Sequence, residues 1–264
     1  MPPIALTIAG SDPSGGAGIQ ADLKTFHQFG AYGEAVITLI TVQNTRRVSQ
    51  VEVLATALVI SQIRAVLEDI PPGAAKTGAL GNRAMVQAVA HEAATFAFPL
   101  VVDPVMISKH GAPLIDEDAR SALVTGLLPH AFLVTPNVHE AEAMAGFAIR
   151  SMNDMKRAAE AIAGLGARAV LVKGGHLPGD LGAVDVLFHD GGFIDFPGER
   201  IHTQHTHGTG CTYSAAITAL LASGVGLVQA VTRAKAYISE AIRTNHGLGG
   251  GSGPVNHFAR AGQK

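Results

Sequence analysis

The feature that most constrains the fold is an alternation of short apolar runs with longer segments of helical periodicity. The apolar runs are predicted strands, at residues 4–9, 36–42, 74–77, 100–102, 132–134 and 169–172. The segments between them are predicted helices, at residues 17–29, 54–67, 83–94, 119–127, 140–145 and 154–165. Strands that alternate with helices predict right-handed crossovers and an α/β fold with a mostly parallel central sheet flanked by helices.

The pattern changes after residue 172. Two short apolar runs, 184–189 and 193–196, flank Asp190-Gly191-Gly192, which predicts a hairpin near one edge of the sheet. Two longer helices are predicted at 212–223 and 227–245. Because no linker or repeat interrupts a chain that is 47% hydrophobic, we expect residues 1–264 to form a single domain.

Charge and cysteine content exclude several classes of protein. The 19 Lys and Arg residues nearly balance the 21 Asp and Glu residues without a long run of either sign, which argues against nucleic-acid or membrane partners. One cysteine excludes an intrachain disulfide, and Met1-Pro2-Pro3-Ile4 lacks the basic start of a secretory signal, which favours the cytoplasm. The most apolar stretch, 211–227, is interrupted by polar residues and glycines and predicts a buried helix. The partners we expect are therefore small molecules or another subunit.

A glycine-rich turn, His207-Gly208-Thr209-Gly210-Cys211, lies directly before the apolar run that begins at Ser214. Such a turn leaves backbone N–H groups unpaired at a helix start, where the helix dipole also favours an anion. Gly208 and Gly210 permit positive φ and close approach, Thr209 offers a hydroxyl, and a thiol in the first turn tends to acidify. The pentapeptide alone predicts equally well a phosphate-binding turn or an ordinary tight turn with a small buried cysteine.

Polar residues follow every predicted parallel strand. They are Gly10-Ser11-Asp12, Gln43-Asn44, Lys76-Thr77-Gly78, Asp103-Pro104, Thr135-Pro136-Asn137 and Lys173-Gly174-Gly175-His176. In an open parallel sheet, ligands bind outside the carboxyl ends of the strands. Together with the glycine-rich turn, these residues predict a nucleotide or phosphoryl-transfer site.

Five segments carry a resemblance to a known family. They are the stretch from Thr7 to Lys24 that contains Gly10-Ser11-Asp12-Pro13-Ser14-Gly15-Gly16-Ala17-Gly18, then Asp103-Pro104-Val105-Met106, Thr135 to Glu142, Val172 to His176, and Thr206 to Thr212. In this order they resemble the ribokinase-like superfamily, and within it the hydroxymethylpyrimidine and phosphomethylpyrimidine kinases of thiamine biosynthesis. The resemblance implies a three-layer ribokinase-like fold and a homodimer. It also implies ATP- and Mg²⁺-dependent phosphorylation of 4-amino-5-hydroxymethyl-2-methylpyrimidine to its monophosphate and then to its diphosphate.

The resemblance also implies roles for the glycine-rich turn. Gly208, Thr209 and Gly210 would present backbone donors to the transferring phosphoryl group, and Thr209 would also contact the nucleotide. Cys211 would act as base in the first phosphorylation, although a space-filling thiol is the alternative. Lys173 would contact phosphate oxygens of the nucleotide, with a solvated loop lysine as the alternative.

A magnesium shell is implied at the strand ends. Asn137 and Glu140 match an Asn-x-x-Glu element that helps to hold Mg²⁺, with Asn137 also near the nucleotide. Glu142 is the backup metal ligand in this interpretation. Asp103 joins the same shell or is simply a turn former before proline.

Acceptor recognition is assigned to small and amide side chains. Gln43 would pair with the aminopyrimidine, and Gly10 and Ala17 would let the ring lie near the backbone. Asp22 would make a polar contact near the phosphate end, although a helix-start aspartate is nearly as good an explanation.

One position departs from the family pattern. Ala79 stands where the family usually has a methionine that packs on the pyrimidine, so Met106 would compensate or the pocket would be wider. Residues 108–114 resemble a mobile flap over ATP. A wider pocket keeps pyridoxal kinase open as an alternative, and a non-catalytic sensor of a vitamin precursor is a second one.

A histidine metal site at His202, His205 and His207 is rejected, because no cysteine or carboxylate completes it.

Overall fold

The centre of the fold is one mixed sheet, seen in a computed structural model that describes residues 1–106, 115–175 and 183–260. In this part of the chain the strand order is β3-β2-β1-β4-β5-β6-β7-β8-β9. The strands are β1 Ile4–Ser11, β2 Tyr32–Gln43, β3 Val48–Val53, β4 Ala74–Thr77, β5 Leu100–Val102, β6 Leu133–Val134, β7 Ala169–Val172, β8 Asp185–His189 and β9 Gly192–Phe196. Neighbours from β2 through β1 and β4 to β7 pair in parallel, while β3, β8 and β9 pair antiparallel. The predicted α/β fold with a hairpin at one sheet edge is confirmed.

Helices cover both faces of this sheet. They are α1 Gly18–Gln28, α2 Thr56–Asp69, α3 Arg83–Ala93, α4 Glu117–Ala122, α5 Val138–Ala145, α6 Met152–Ala163, α7 Thr209–Ala222 and α8 Leu227–Arg243. The sheet has one hydrophobic core on each face, and successive residues of β5 point into different cores. Leu100 and Val102 pack in the core that α2 to α6 cover, and Val101 packs in the core that α7 and α8 cover. Burial on both faces explains why β5, β6 and β7 are continuous apolar runs.

Helix α7 begins at Thr209, three residues before its predicted start, because Gly208 caps it in a left-handed conformation. Ten of its residues are buried, from Thr212 to Leu221. A helix that is apolar on all sides belongs in a protein core, and α7 lies between the sheet and the helices α1 and α8. Among the described residues, no helix combines the length and the apolar character that a membrane crossing requires.

Strand β3 was not predicted from the sequence. It pairs antiparallel with β2 at the edge of the sheet. Polar residues Ser49, Gln50 and Glu52 interrupt its apolar pattern, and none of its residues is fully buried. An edge strand of this kind lacks the continuous apolar run that reveals the central strands.

A buried carboxylate on β2 makes the stability of the fold depend on pH. Glu34 is 9% exposed, and its Oε2 atom has no hydrogen-bond partner among the described residues. Burial raises the pKa of Glu34 from 4.5 to about 7, and the charge of Asp69 adds to the shift. The folded protein therefore keeps a proton that the unfolded chain has lost between these pH values, so the free energy of unfolding falls as pH rises from about 4.5 to about 7.

We expect Glu34→Gln to remove this pH dependence. At pH 8 the variant should melt roughly 2–4 °C above the parent protein, which corresponds to about 1 kcal/mol for a chain of this size. At pH 4 the two proteins should melt together, because Glu34 is then protonated in both the folded and the unfolded state. Thermal unfolding at both pH values measures the difference. An equal shift at both would attribute it to packing of the amide rather than to ionisation.

Candidate active site

A cavity of about 750 Å³ opens at the carboxyl ends of the parallel strands. The strand order reverses between β1 and β4, so the chain crossovers leave a crevice beside these two strands. Its wall carries most of the residues that the sequence predicted for the site. They are Gly10, Ala17, Gln43, Ala79, Asp103, Met106, Asn137, Glu140, Lys173, Gly208, Thr209, Gly210 and Cys211.

The first turn of α7 forms one side of the cavity. Gly208 has φ 78°, and a Cβ atom there would collide with the backbone oxygen of Gly16. Only glycine fits both the conformation and the contact. The Thr209 hydroxyl donates to the Thr206 carbonyl at 2.7 Å, so the expected hydroxyl donor is already used within the loop. The donors that remain for an anion are the backbone N–H groups of Gly210 and Cys211, which have no carbonyl partner within the helix.

A buried carboxylate–histidine contact, which was not predicted from the sequence, holds this turn against the loop after β1. The Asp12 carboxylate lies 2.8 Å from His207 Nε2 and accepts from the backbone N–H groups of Gly16 and Ala17. Burial opposes ionisation, but hydrogen bonds from His207 and Ser14 hold the pKa of Asp12 well below its usual range. The Asp-Pro-Ser-Gly-Gly turn was visible in the sequence, whereas its partner His207 was not. The pair fixes the distance between the turn and the loop that carries Ala17.

A buried ion pair faces the first turn of α7. Lys173 Nζ lies 3.2 Å from Asp103 Oδ1, and the Ser214 hydroxyl donates to Asp103 Oδ2 at 3.2 Å. A Cβ atom built on Gly210 would lie 3.4 Å from Lys173 Nζ, so the ammonium group is next to the turn. Burial disfavours the charged lysine, but the carboxylates of Asp103 and Glu140 outweigh it and raise the pKa of Lys173. The site thus presents a charged ammonium group beside two free backbone donors.

Asn137 and Glu140 form a capping box at the start of α5. The Asn137 side chain accepts from the Glu140 N–H at 3.0 Å, and the Glu140 carboxylate accepts from the Asn137 N–H at 2.8 Å. The Asn-x-x-Glu element therefore has a structural role that the sequence analysis did not consider. Burial raises the pKa of Glu140 to about 7, and the charge of Asp103 adds to the shift against the opposing effect of Lys173.

The donor set fits a hydrated divalent cation. Asp103 and Glu140 line the same cavity, and Lys173 balances only one of their two charges. Within residues 1–106, 115–175 and 183–260, no three His, Cys, Asp or Glu side chains are arranged to hold a metal ion. Mg²⁺ dehydrates reluctantly and often takes only one or two protein carboxylates, with water and phosphate oxygens completing its shell.

Glu142 does not reach this cavity, which corrects its prediction as a metal ligand. Each residue of a helix is rotated by about 100° from the one before it, so Glu140 and Glu142 lie on nearly opposite faces of α5. The Glu142 carboxylate instead accepts from the backbone N–H of Ile149 at 2.8 Å and lies 3.4 Å from His139.

Asp22 is also absent from the cavity wall, which corrects its prediction as an acceptor contact. It is fully buried on the side of α1 that faces the sheet. Its carboxylate accepts from Lys76 Nζ at 2.9 Å and from the Thr7 hydroxyl at 2.7 Å. The sequence could not show this arrangement, because Lys76 is distant along the chain.

Cys211 lines the cavity, but its thiol is not acidified as the sequence analysis expected. Burial raises the pKa of Cys211 to about 12. The positive charge of Lys76 opposes this shift, while the carboxylates of Asp22 and Asp103 reinforce it. The helix dipole is therefore too weak to acidify a thiol that is buried and has carboxylates close to it.

The predicted acceptor residues also line the cavity. Gln43 ends β2, Gly10 is the penultimate residue of β1, and Ala17 directly precedes α1, next to the α7 turn. Met106 lines the same cavity as Ala79, which places it where it could compensate for the small side chain. The predicted flap, 108–114, and His176 lie outside the described residues.

Comparisons with known proteins agree with this geometry. A sequence profile of the phosphomethylpyrimidine kinase family matches residues 12–256. The hydroxymethylpyrimidine/phosphomethylpyrimidine kinase of Rhizobium meliloti (strain 1021) is 50% identical over 263 residues, covering 98% of this chain and 98% of the relative. The crystal structure of phosphomethylpyrimidine kinase from Clostridium difficile 630 is 46% identical, with a TM-score of 0.81 over 90% of this chain and 99% of that chain. The ADP complex of Bacillus subtilis pyridoxal kinase is 37% identical, with a TM-score of 0.91 over 98% of each chain.

These matches extend over nearly the whole chain, and they confirm the ribokinase-like fold that the resemblance implied. The chain belongs to the phosphomethylpyrimidine kinase family.

Proposed function

We propose that this protein transfers the γ-phosphoryl group of ATP to 4-amino-5-hydroxymethyl-2-methylpyrimidine and then to the resulting monophosphate. The observation that carries the proposal is the juxtaposition of the α7 turn, with its free backbone donors, and the Asp103–Lys173 pair in one cavity. Gln43 lines the same cavity and offers an amide to an aminopyrimidine. Both substrates would thus be held at one site.

The chemistry requires positioning and charge stabilisation more than covalent help. The hydroxymethyl oxygen of the acceptor attacks the γ-phosphorus, the bond to the β–γ bridging oxygen breaks, ADP leaves, and the hydroxyl proton is lost. In a loose transition state the charge lies on the phosphoryl oxygens, where Lys173 and the Gly210 and Cys211 N–H groups would stabilise it. Mg²⁺ held by Asp103 and Glu140 through water would supply further positive charge at the nucleotide phosphates.

The two acceptors differ in whether a proton must be removed from them, and therefore in whether they need Cys211 as a base. An alcohol must lose a proton, whereas a phosphate acceptor is already an anion. A thiol whose pKa is about 12 keeps its own proton at neutral pH, so only its thiolate form can accept another. We therefore propose that Cys211 loses its proton to solvent and that the thiolate Sγ then takes the acceptor's proton as the new O–P bond forms in the first transfer.

We expect Cys211→Ala to lower kcat of the first phosphorylation by about 10²-fold and to affect the second much less. Steady-state rates with the alcohol and with the monophosphate measure the two steps separately. Cys211→Ser is the matched control for space filling. Equal proportional losses on both acceptors would assign Cys211 a packing role instead.

The function itself is tested by incubating the purified protein with ATP, Mg²⁺ and each acceptor. Formation of the pyrimidine monophosphate and then the diphosphate, followed by ³¹P NMR, supports the proposal. Tight binding of the pyrimidine without release of ADP would instead indicate a sensor.

A second candidate, pyridoxal kinase, is favoured by one observation. Ala79 leaves space on the cavity wall where the family usually has methionine. Product from pyridoxal but not from the pyrimidine would replace the first proposal with this one.

We also propose that the enzyme acts as a cytoplasmic homodimer, as the family resemblance implies. Exposed apolar side chains on β2, at Tyr32, Ile40 and Val42, support a contact between subunits. Analytical ultracentrifugation measures the mass directly, and a monomer at micromolar concentration would contradict the proposal.

A further inference from the structure

A buried carboxylate outside the cavity connects to a residue next to Lys173. Asp185 begins β8 and is 2% exposed. Its Oδ1 atom accepts from the backbone N–H of Gly174 at 3.0 Å, and its Oδ2 atom accepts from Lys235 Nζ at 2.7 Å. Neither Asp185 nor Lys235 lines the cavity.

The backbone of Lys173 is held from two sides by these contacts. Its own N–H donates to the Pro136 carbonyl at 2.8 Å, at the end of β6. The next N–H, that of Gly174, donates to Asp185. A Cβ atom on Gly174 would collide with the backbone oxygen of Val184, so β7 and the approach to β8 are in direct backbone contact here. The Lys173 side chain starts from a backbone that has little freedom to move.

The same carboxylate reaches toward the phosphate-binding turn. The hydroxyl of Tyr213, two residues after Cys211, faces Asp185 without a hydrogen bond of normal geometry. Lys235 comes from α8 and also donates to the Ala183 carbonyl at 2.6 Å. Asp185 thus hydrogen-bonds to the residue after Lys173 and to Lys235 of α8, and it lies close to Tyr213 of α7. These segments surround Lys173 and the first turn of α7.

We propose that Asp185, neutralised by Lys235, is a positioning residue that sets the place of the Lys173 ammonium group relative to the α7 turn. This inference rests on the proposed role of Lys173 toward nucleotide phosphates. Because the pair carries no net charge, its effect on the site is geometric. Its expected effect is on the nucleotide through Lys173 and not on Gln43, because Gln43 lies on β2, which β1 and β4 to β7 separate from β8 in the sheet.

The test is Asp185→Ala, which removes the acceptor of the Gly174 N–H. We expect kcat/KM for ATP to fall about tenfold or more, because a small misplacement of a positioned group is costly. The KM of the acceptor should stay within twofold of the parent value. Asp185→Asn keeps a side-chain oxygen for Gly174 and should restore most of the loss. The proposal would be overturned if the kinetic constants for ATP and for the acceptor changed by the same factor, or if neither changed.

Controls separate positioning from stability. Asp195 of β9 pairs with Lys156 of α6 at 3.0 Å, away from the cavity, so Asp195→Ala should leave both constants unchanged. If Asp185→Ala does not fold because Lys235 loses its partner, the double variant Asp185→Ala/Lys235→Met removes both charges and should show the same loss for ATP.

Calorimetric binding of a non-hydrolysable ATP analogue gives a readout that does not depend on the acceptor. Weaker binding by Asp185→Ala than by the parent and the Asp195→Ala control supports the inference even if the parent protein phosphorylates no pyrimidine. Identical binding by all three proteins, together with unchanged kinetics, would refute it.

Discussion

Gly208→Ala should lower kcat/KM for ATP by roughly 10²- to 10³-fold while the protein remains folded. A methyl group at this position would collide with the backbone oxygen of Gly16, and the φ of 78° is itself unfavourable for alanine. Because the obstacle is backbone and cannot rotate away, the turn must move. The Gly210 and Cys211 N–H groups would then no longer converge on the phosphoryl group.

Gly224→Ala is the matched control for this prediction. Gly224 has φ 77°, but a Cβ atom built there meets no atom within 4 Å. It should lose about 1–2 kcal/mol of stability from the backbone conformation alone and keep its kinetic constants. If both variants lose activity in parallel, the effect of Gly208→Ala would come from general destabilisation and not from the turn.

Lys173→Met should lower kcat by roughly 10²- to 10³-fold with little change in the KM of the acceptor. The substitution removes the ammonium group beside the turn and leaves the carboxylates of Asp103 and Glu140 facing the nucleotide phosphates without a balancing charge. Repulsion between these anions should be greatest in the transition state. Stopped-flow or steady-state assays at saturating ATP measure the loss.

Lys156→Met is a suitable comparison, because Lys156 also pairs with an aspartate but lies outside the cavity. Its rates should match those of the parent protein. A Lys173→Met enzyme with a near-parental kcat would show that backbone donors alone carry the charge stabilisation.

The part of the fold that could be predicted from sequence is the part with a strong local signal. The strands β5 and β7 were located to the residue, since a strand buried on both faces is an uninterrupted apolar run. The bounds of β4 were also predicted correctly, although Lys76 and Thr77 end its apolar run. The edge strand β3 has no such run and was missed. The early start of α7 was missed because Gly208 was interpreted as part of a loop, although its left-handed conformation begins the helix.

The site residues that could be predicted are those that directly follow a predicted strand along the chain. Asp103 and Lys173 each come directly after an apolar run, and the topology brings their side chains together. Pairings between distant segments were not predictable, because nothing local marks the partner of Asp12, Asp22 or Asp185. The high pKa of Cys211 has the same origin, since it depends first on burial by the folded chain and then on carboxylates contributed by other elements.

The glycine-rich turn before α7 is held by segments that are distant along the chain. His207 meets Asp12 through its side chain, and its backbone pairs with Gly253 and Val255. A chain emerging from the ribosome, or one cut within either segment, lacks part of this framework. Nucleotide capture should therefore arise only once translation has passed Val255, so incomplete copies would not sequester ATP.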